Sequence, residues 1–137
     1  MAVLTFTFDP VGDIPIVSAR IRGPRKTRRV RLVFDTGSAI SQIDTGSIED
    51  IGYSASTAEQ IVSIQSAVGE SIPGYLLRID SLSVFGLDFR NQPVGAFDFD
   101  NFDQHRIDGL LGFDLIKQLH LELNGPAGTF SIFGESV

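Results

Sequence analysis

Leu4, Phe6 and Phe8 recur at every second position near the start of the chain, the period of a strand with one face against a core. The turn-forming Asp9-Pro-Val-Gly-Asp13 follows, and Ile14 to Ile21 resumes an apolar run rich in β-branched residues, so two strands are predicted. Gly23-Pro24 interrupts the run. Val30-Arg-Leu-Val-Phe34 then predicts a third strand whose last three residues are all apolar, as expected of a strand covered on both faces. Ser41 to Asp44 reads as a further short strand. Thr45 to Ile51, followed by Gly52, carries the cap and glycine signals of a helix of one or two turns.

Glu59 to Ser66 and Ser71 to Ile79 are β-rich arms on either side of Val68-Gly69-Glu70, which predicts a hairpin with a glycine at its tip. Leu82-Ser-Val84 and Val94-Gly-Ala-Phe97 read as separate strands divided by Gly86 and Pro93, and Asp98 to Asp108 as an acidic loop. Ile107-Asp-Gly-Leu-Leu-Gly112 leads into Phe113 to Leu119, where Phe113, Ile116 and Leu119 are spaced to share one helical face. Leu121-Glu-Leu123, the turn Asn124 to Gly128 and Phe130-Ser-Ile132 predict a closing hairpin. Nine or ten strands with one convincing short helix near the C-terminus define a mainly β domain.

Composition narrows the chemistry. At 137 residues the chain holds one domain with a real core but not two large lobes. A net charge of -6 disfavours nucleic acid and acidic membrane surfaces as partners. The absence of cysteine removes thiol nucleophiles and zinc thiolate sites, and two histidines are a thin supply for a His-based triad or metal centre. No leader-like or membrane-spanning apolar run is visible, so the expectation is a soluble, cytoplasmic chain.

The most informative stretch is Leu32-Val-Phe-Asp35-Thr36-Gly37-Ser38, which places a carboxylate where a buried strand ends in a glycine-containing turn. An ionised group taken out of water needs hydrogen bonds or a chemical use. Thr36, the Gly37 amide and Ser38 are the local donors. Taken alone, such an Asp often does no more than cap its own turn. Asp-x-Gly-Ser also occurs in phosphate loops of actin-like ATPases and sugar kinases, but those need two nucleotide-clasping lobes.

Read together with Asp108-Gly-Leu110-Leu111-Gly112-Phe113-Asp114 downstream, and with the glycine-tipped hairpin between them, the sequence resembles the retropepsin-like aspartic proteases over roughly residues 15 to 124. That resemblance implies a single domain, residues 1–137, with a closed β-barrel or sandwich, a flap hairpin and one short C-terminal helix. It implies that Asp35 is the catalytic carboxylate, that Thr36 helps lock two such turns together, and that the Gly37 carbonyl binds substrate backbone. Ser38 would donate a hydrogen bond to the carboxylate and help keep it ionisable. Leu110 would line a subsite, and Val68, Gly69 and Glu70 would close over a peptide. Ala39 and Phe113 stand where viral members often place a paired Asp and Arg, so viral dimer contacts do not transfer. Phe113-Asp114 looks instead like the cellular and bacterial relatives.

Peptide hydrolysis at a carboxyl dyad needs one base for the attacking water and one acid for the carbonyl oxygen. Asp-Thr-Gly occurs at Asp35 and again at Asp44, where it leads into the predicted Thr45 to Ile51 helix. With Asp35 taken as the one catalytic carboxylate of each chain, the expected enzyme is a homodimeric aspartic endopeptidase with Asp35 from each subunit at a two-fold axis and no cofactor or metal. The alternative is a retropepsin-like module that dimerises or binds peptide without cutting it.

Other features have ordinary readings. Asp98, Asp100 and Asp103 lack the glycine and terminal Glu of an EF-hand loop and read as solvated acids. His105 and His120 have no ligand-like spacing, and Asp114 fits the start of a helix, where carboxylates meet free amides. Leu4, Phe6, Phe8, Phe130 and Ile132 suit either terminal strands joining subunits or ordinary core packing. Seven of the eleven basic residues lie between Arg20 and Arg31, leaving a balance of -13 elsewhere. That segment reads as a solvated hairpin, with docking to an acidic partner as the functional alternative.

Overall fold

The computed structural model describes residues 2–8, 12, 14–65, 69, 71–99 and 106–134. Ten strands are present among them: β1 (Ala2–Thr7), β2 (Ile16–Arg22), β3 (Thr27–Phe34), β4 (Gln42–Asp44), β5 (Gln60–Gln65), β6 (Ser71–Val84), β7 (Leu87–Phe97), β8 (Gly109–Leu111), β9 (Leu121–Asn124) and β10 (Thr129–Gly134). Two helices, α1 (Thr45–Asp50) and α2 (Phe113–Ile116), and a 3-10 turn at Ala55–Thr57 complete the elements. No helix among the described residues is long and apolar enough to cross a membrane.

Strands follow one another in the order β2-β3-β8-β4-β7-β6, and β2 pairs again with β6, so six strands close into a barrel with no free edge between them. Alternation along β2 and β6 turns Val17, Ala19, Ile21, Tyr75, Leu77 and Ile79 inward, where they meet Val30, Leu32, Ile43, Leu111 and Leu115. Strand β5 lies outside the ring, paired only with β6 as the outer arm of the predicted hairpin.

Two strands run longer than the sequence pattern suggests. Ser71 to Ile79 and Leu82 to Val84 form one strand, because the pairing with β7 resumes at Ser81 opposite Arg90 while the Asp80 amide donates to the Tyr53 hydroxyl. Strand β7 begins at Leu87 and carries Pro93 inside it. Pro93 faces Arg78 of β6, while the pairing of β7 with β4 starts only at Gly95, so the missing N–H falls where β7 has a partner on one side only.

Helix α1 starts from Asp44, whose carboxylate accepts from Gly46 N at 3.0 Å and Phe99 N at 3.0 Å, and it stands as a second helix beside the C-terminal one. The shared helical face predicted for Phe113, Ile116 and Leu119 does not form. Helix α2 is a single turn, too short for a 3.6-residue stripe to repeat, and it buries Leu115 and Ile116 while Phe113 is 47% exposed.

The terminal strands make a separate three-stranded sheet in the order β1-β10-β9. The β9–β10 hairpin forms as predicted, and β1 adds to it within the same chain, Phe6 facing Phe130 in register. Phe130 is fully buried, its ring 4.9 Å from Phe8 and 4.8 Å from Phe34. Core packing inside the chain therefore accounts for Phe6, Phe8 and Phe130.

Candidate active site

Strand β3 runs parallel to β8, with Val33 beside Leu110 and Phe34 beside Leu111, and this pairing carries Asp35 out of the barrel at a fixed point. The Asp35 amide donates to Leu111 O at 3.0 Å. The chain then turns: Ser38 N donates to Asp35 O at 3.3 Å, and Gly37 N donates to Asp35 Oδ1 at 2.9 Å. Asp35 is half-buried, and among the described residues its other carboxylate oxygen accepts no hydrogen bond.

The far side of the turn is tied to the downstream motif. Phe113 N donates to Ser38 O at 2.7 Å. The fully buried Ser41 hydroxyl donates to Asp114 Oδ1 at 2.8 Å and accepts from Gly112 N at 3.0 Å. Asp114 Oδ1 also accepts from its neighbour Leu115 N at 3.0 Å, so this carboxylate secures the start of α2 as its position in the sequence predicts. A Cβ on Gly109 would collide with the Gln42 carbonyl oxygen, and one on Gly112 would lie 2.6 Å from the Ile40 carbonyl. The two glycines that bracket Leu110-Leu111 are thus the condition for β8 to slide against residues 40–43.

Ser38 is placed in the turn but does not make the implied bond. Its hydroxyl donates to Ile40 O at 2.7 Å and accepts from Gln42 Nε2 at 3.2 Å. A hydroxyl has one proton, so within the chain Ser38 stiffens the loop instead of feeding the Asp35 carboxylate. Thr36 is exposed, and among the described residues its side chain makes no hydrogen bond. Leu110 is half-exposed on the strand beside Val33.

Around the turn lie apolar side chains open to solvent: Phe113 next to Gly112, and Ile40, 37% exposed. Separately, the arms of the β5–β6 hairpin expose Ile61, at 69%, and Ile72. Gly69 takes a φ of +86°, the left-handed conformation that a hairpin tip uses. Val68 and Glu70, together with Asp100, Asp103 and His105, lie outside the described residues.

Sequence reasoning did not find Ser41, Gln42, Ile40 or the exposure of Phe113. A serine at the head of a short strand gives no sign that it is buried between a carboxylate and an amide some seventy residues away. The only available signal was the pairing of Asp114 with a motif whose glycines demanded a close neighbour.

With this geometry in place, comparison with known proteins is decisive about class. Residues 17–115 match the aspartyl protease family model, a span that holds both the Asp35 turn and the Leu110-Leu111-Gly112 element, and the chain belongs to that family. Its fold is that of the retropepsin-like members. It is similar to a retropepsin-like aspartic protease from Rickettsia conorii, at 13% identity and a TM-score of 0.68, covering 96% of this chain and 98% of that one. It is also similar to the EIAV protease solved with the inhibitor HBY-793, at 15% identity and a TM-score of 0.57, covering 82% of this chain and 93% of that one. No curated protein matches the chain.

Proposed function

We propose that the chain is a homodimeric aspartic endopeptidase that hydrolyses peptide bonds with a water held between two copies of Asp35. The observation that carries this reading is the Asp35-Thr-Gly turn, whose half-buried carboxylate has one oxygen held by Gly37 N and the other without a partner among the described residues. The second Asp-Thr-Gly, at Asp44, instead has both carboxylate oxygens engaged, by Gly46 N and Phe99 N, at the start of α1. One such carboxylate supplies a base but not also an acid. Two held close together cannot both ionise readily, so a dimer divides the roles and its titration belongs to the pair. In the forward step the ionised carboxylate takes a proton from water as the oxygen attacks the scissile carbonyl carbon, and the protonated one gives its proton to the carbonyl oxygen. Collapse of the tetrahedral diol then returns a proton to the leaving amine and frees a carboxylic acid.

The unpartnered Thr36 hydroxyl is suited to a bond across the two-fold axis, which would lock the paired turns. The Gly37 carbonyl would take substrate backbone, Leu110 would form part of a subsite with Ile40 and Phe113 at its margin, and the hairpin tip at Val68, Gly69 and Glu70 would cover the bound segment. Apolar substrate side chains fit this border.

The test is Asp35→Asn, alone and in mixture. The variant should keep the fold, judged by its unfolding transition, and lose peptide turnover by about 10⁴-fold or more across roughly pH 4 to 8. Excess variant should suppress wild-type activity by forming mixed dimers. An active purified variant overturns the mechanism. A confirmed wild-type dimer that cuts nothing in a diverse peptide library supports the peptide-binding module instead.

A further inference from the structure

The β2–β3 hairpin uses only part of its positive charge internally. Lys26 and Arg28 pair with Asp50 of α1 at 2.9 and 3.0 Å. Arg20 and Arg29 are different: they stand directly opposite each other on β2 and β3, both are exposed, and neither makes an ion pair or hydrogen bond among the described residues. Like charges facing across a ladder are destabilising. The same transverse row continues through Ser83 of β6 to Asp88 of β7, so a carboxylate is present, but it is already engaged. Asp88 accepts from Ser83 Oγ at 2.8 Å and lies 3.4 Å from Arg90 Nε.

Beside the two arginines opens a cleft of about 530 Å³ whose remaining walls are largely apolar, formed by Phe6, Val17, Phe85 and Phe130. Its edge is the tight β6–β7 turn, where Phe85 (φ 55°) and Gly86 (φ 74°) both adopt the left-handed conformation. A bulky residue there is strained, and the strain is offset by burial of the Phe85 ring 5.4 Å from Phe6 and 5.5 Å from Phe130. None of the cleft's lining residues belongs to the Asp35 turn, to β8 or to the β5–β6 hairpin tip.

We propose that this cleft is a docking site for an acidic peptide segment carrying aromatic or aliphatic side chains, with an apolar side chain seated against the half-buried Phe6 at the cleft mouth and a neighbouring carboxylate bridged by Arg20 and Arg29. The size is that of a ligand-sized site, and paired guanidinium groups match carboxylates in planar, two-toothed geometry. Charge fixes the sign of the occupant. Outside residues 20–31 the chain carries a balance of -13, so an acidic segment is repelled from most of the surface and drawn to this face. The site needs neither a dimer nor turnover.

The experiment is fluorescence anisotropy of a labelled peptide of alternating Asp and Phe titrated with the full chain, beside peptides of alternating Asp and Ser and of alternating Lys and Phe. The Asp-Phe peptide should bind saturably and more tightly than either control, and binding should weaken as salt is raised. Arg20→Ser with Arg29→Ser should weaken it by roughly tenfold or more without lowering the unfolding temperature, because two repelling charges on an exposed face are removed. Equal affinity for the Asp-Ser peptide, binding unchanged in the double variant, or no binding at all overturns the proposal. So does self-association that disappears in the double variant without any peptide binding, which assigns the face to a second copy of the chain.

Discussion

The amide of Asp35 donates to the carbonyl of Leu111 at 3.0 Å, so the candidate catalytic turn and the Leu-Leu-Gly element form one rigid unit. Each turn of chain is held by a segment far away in sequence, and the carboxylate's position is inherited from the barrel. Preorganisation of this kind lets a small domain aim one side chain without a dedicated lobe.

Ser41→Ala tests that coupling. The substitution removes a fully buried donor to Asp114 and leaves Gly112 N without its acceptor. A buried bond to a charged group is worth about 2 kcal/mol, and chemical denaturation should show a loss of about that size. Turnover, if measured on the same protein, should fall further than stability alone explains, because α2 and the Ser38 carbonyl it holds are loosened together.

Close approach at β8 predicts a sharp contrast between two glycines. Gly109→Ala forces a methyl group into the Gln42 backbone, which cannot swing aside as a side chain would, and should destabilise by about 3 kcal/mol or more. Gly125→Ala, with no heavy atom within 4 Å of the new carbon, should change stability by less than about 0.5 kcal/mol. Equal effects would contradict the packing described for β4 against β8.

The basic hairpin gives a pH prediction with a definite sign. The Lys26 ammonium at 2.9 Å, aided by Arg28, holds the Asp50 carboxyl below the ordinary aspartate range. A carboxyl whose pKa is depressed on folding adds stability that is present above its unfolded value, about 4, and is lost as pH falls through the folded value. The stability difference between wild type and Asp50→Asn should therefore be constant from neutral pH down to about 5 and shrink below that. A difference that grows on acidification contradicts the assignment.

Local pattern made much of this molecule legible. The apolar run into Asp35, the glycine-tipped hairpin and the Leu110-Leu111-Gly112 element are contiguous signals, and each is found where the sequence places it. What escaped was non-local. Closure of the barrel through β2 and β6 depends on registers such as Arg20 opposite Ser83, which no single segment encodes. Phe113 was given an inward face by a periodicity that a one-turn helix is too short to sustain. Pro93 reads as a strand boundary because the stretch of β7 that pairs on one side only, and so tolerates it, exists only in the assembled sheet. Ser38 was assigned the carboxylate by resemblance, and its proton goes to Ile40 O.

The central claim is that two chains build one catalytic centre. Calorimetric titration of the purified protein with a statine-like transition-state mimic tests it most directly, because the stoichiometry counts centres. The account predicts one inhibitor bound per pair of chains, with binding abolished by Asp35→Asn. One inhibitor per chain, or tight binding to a species that stays monomeric, would contradict it.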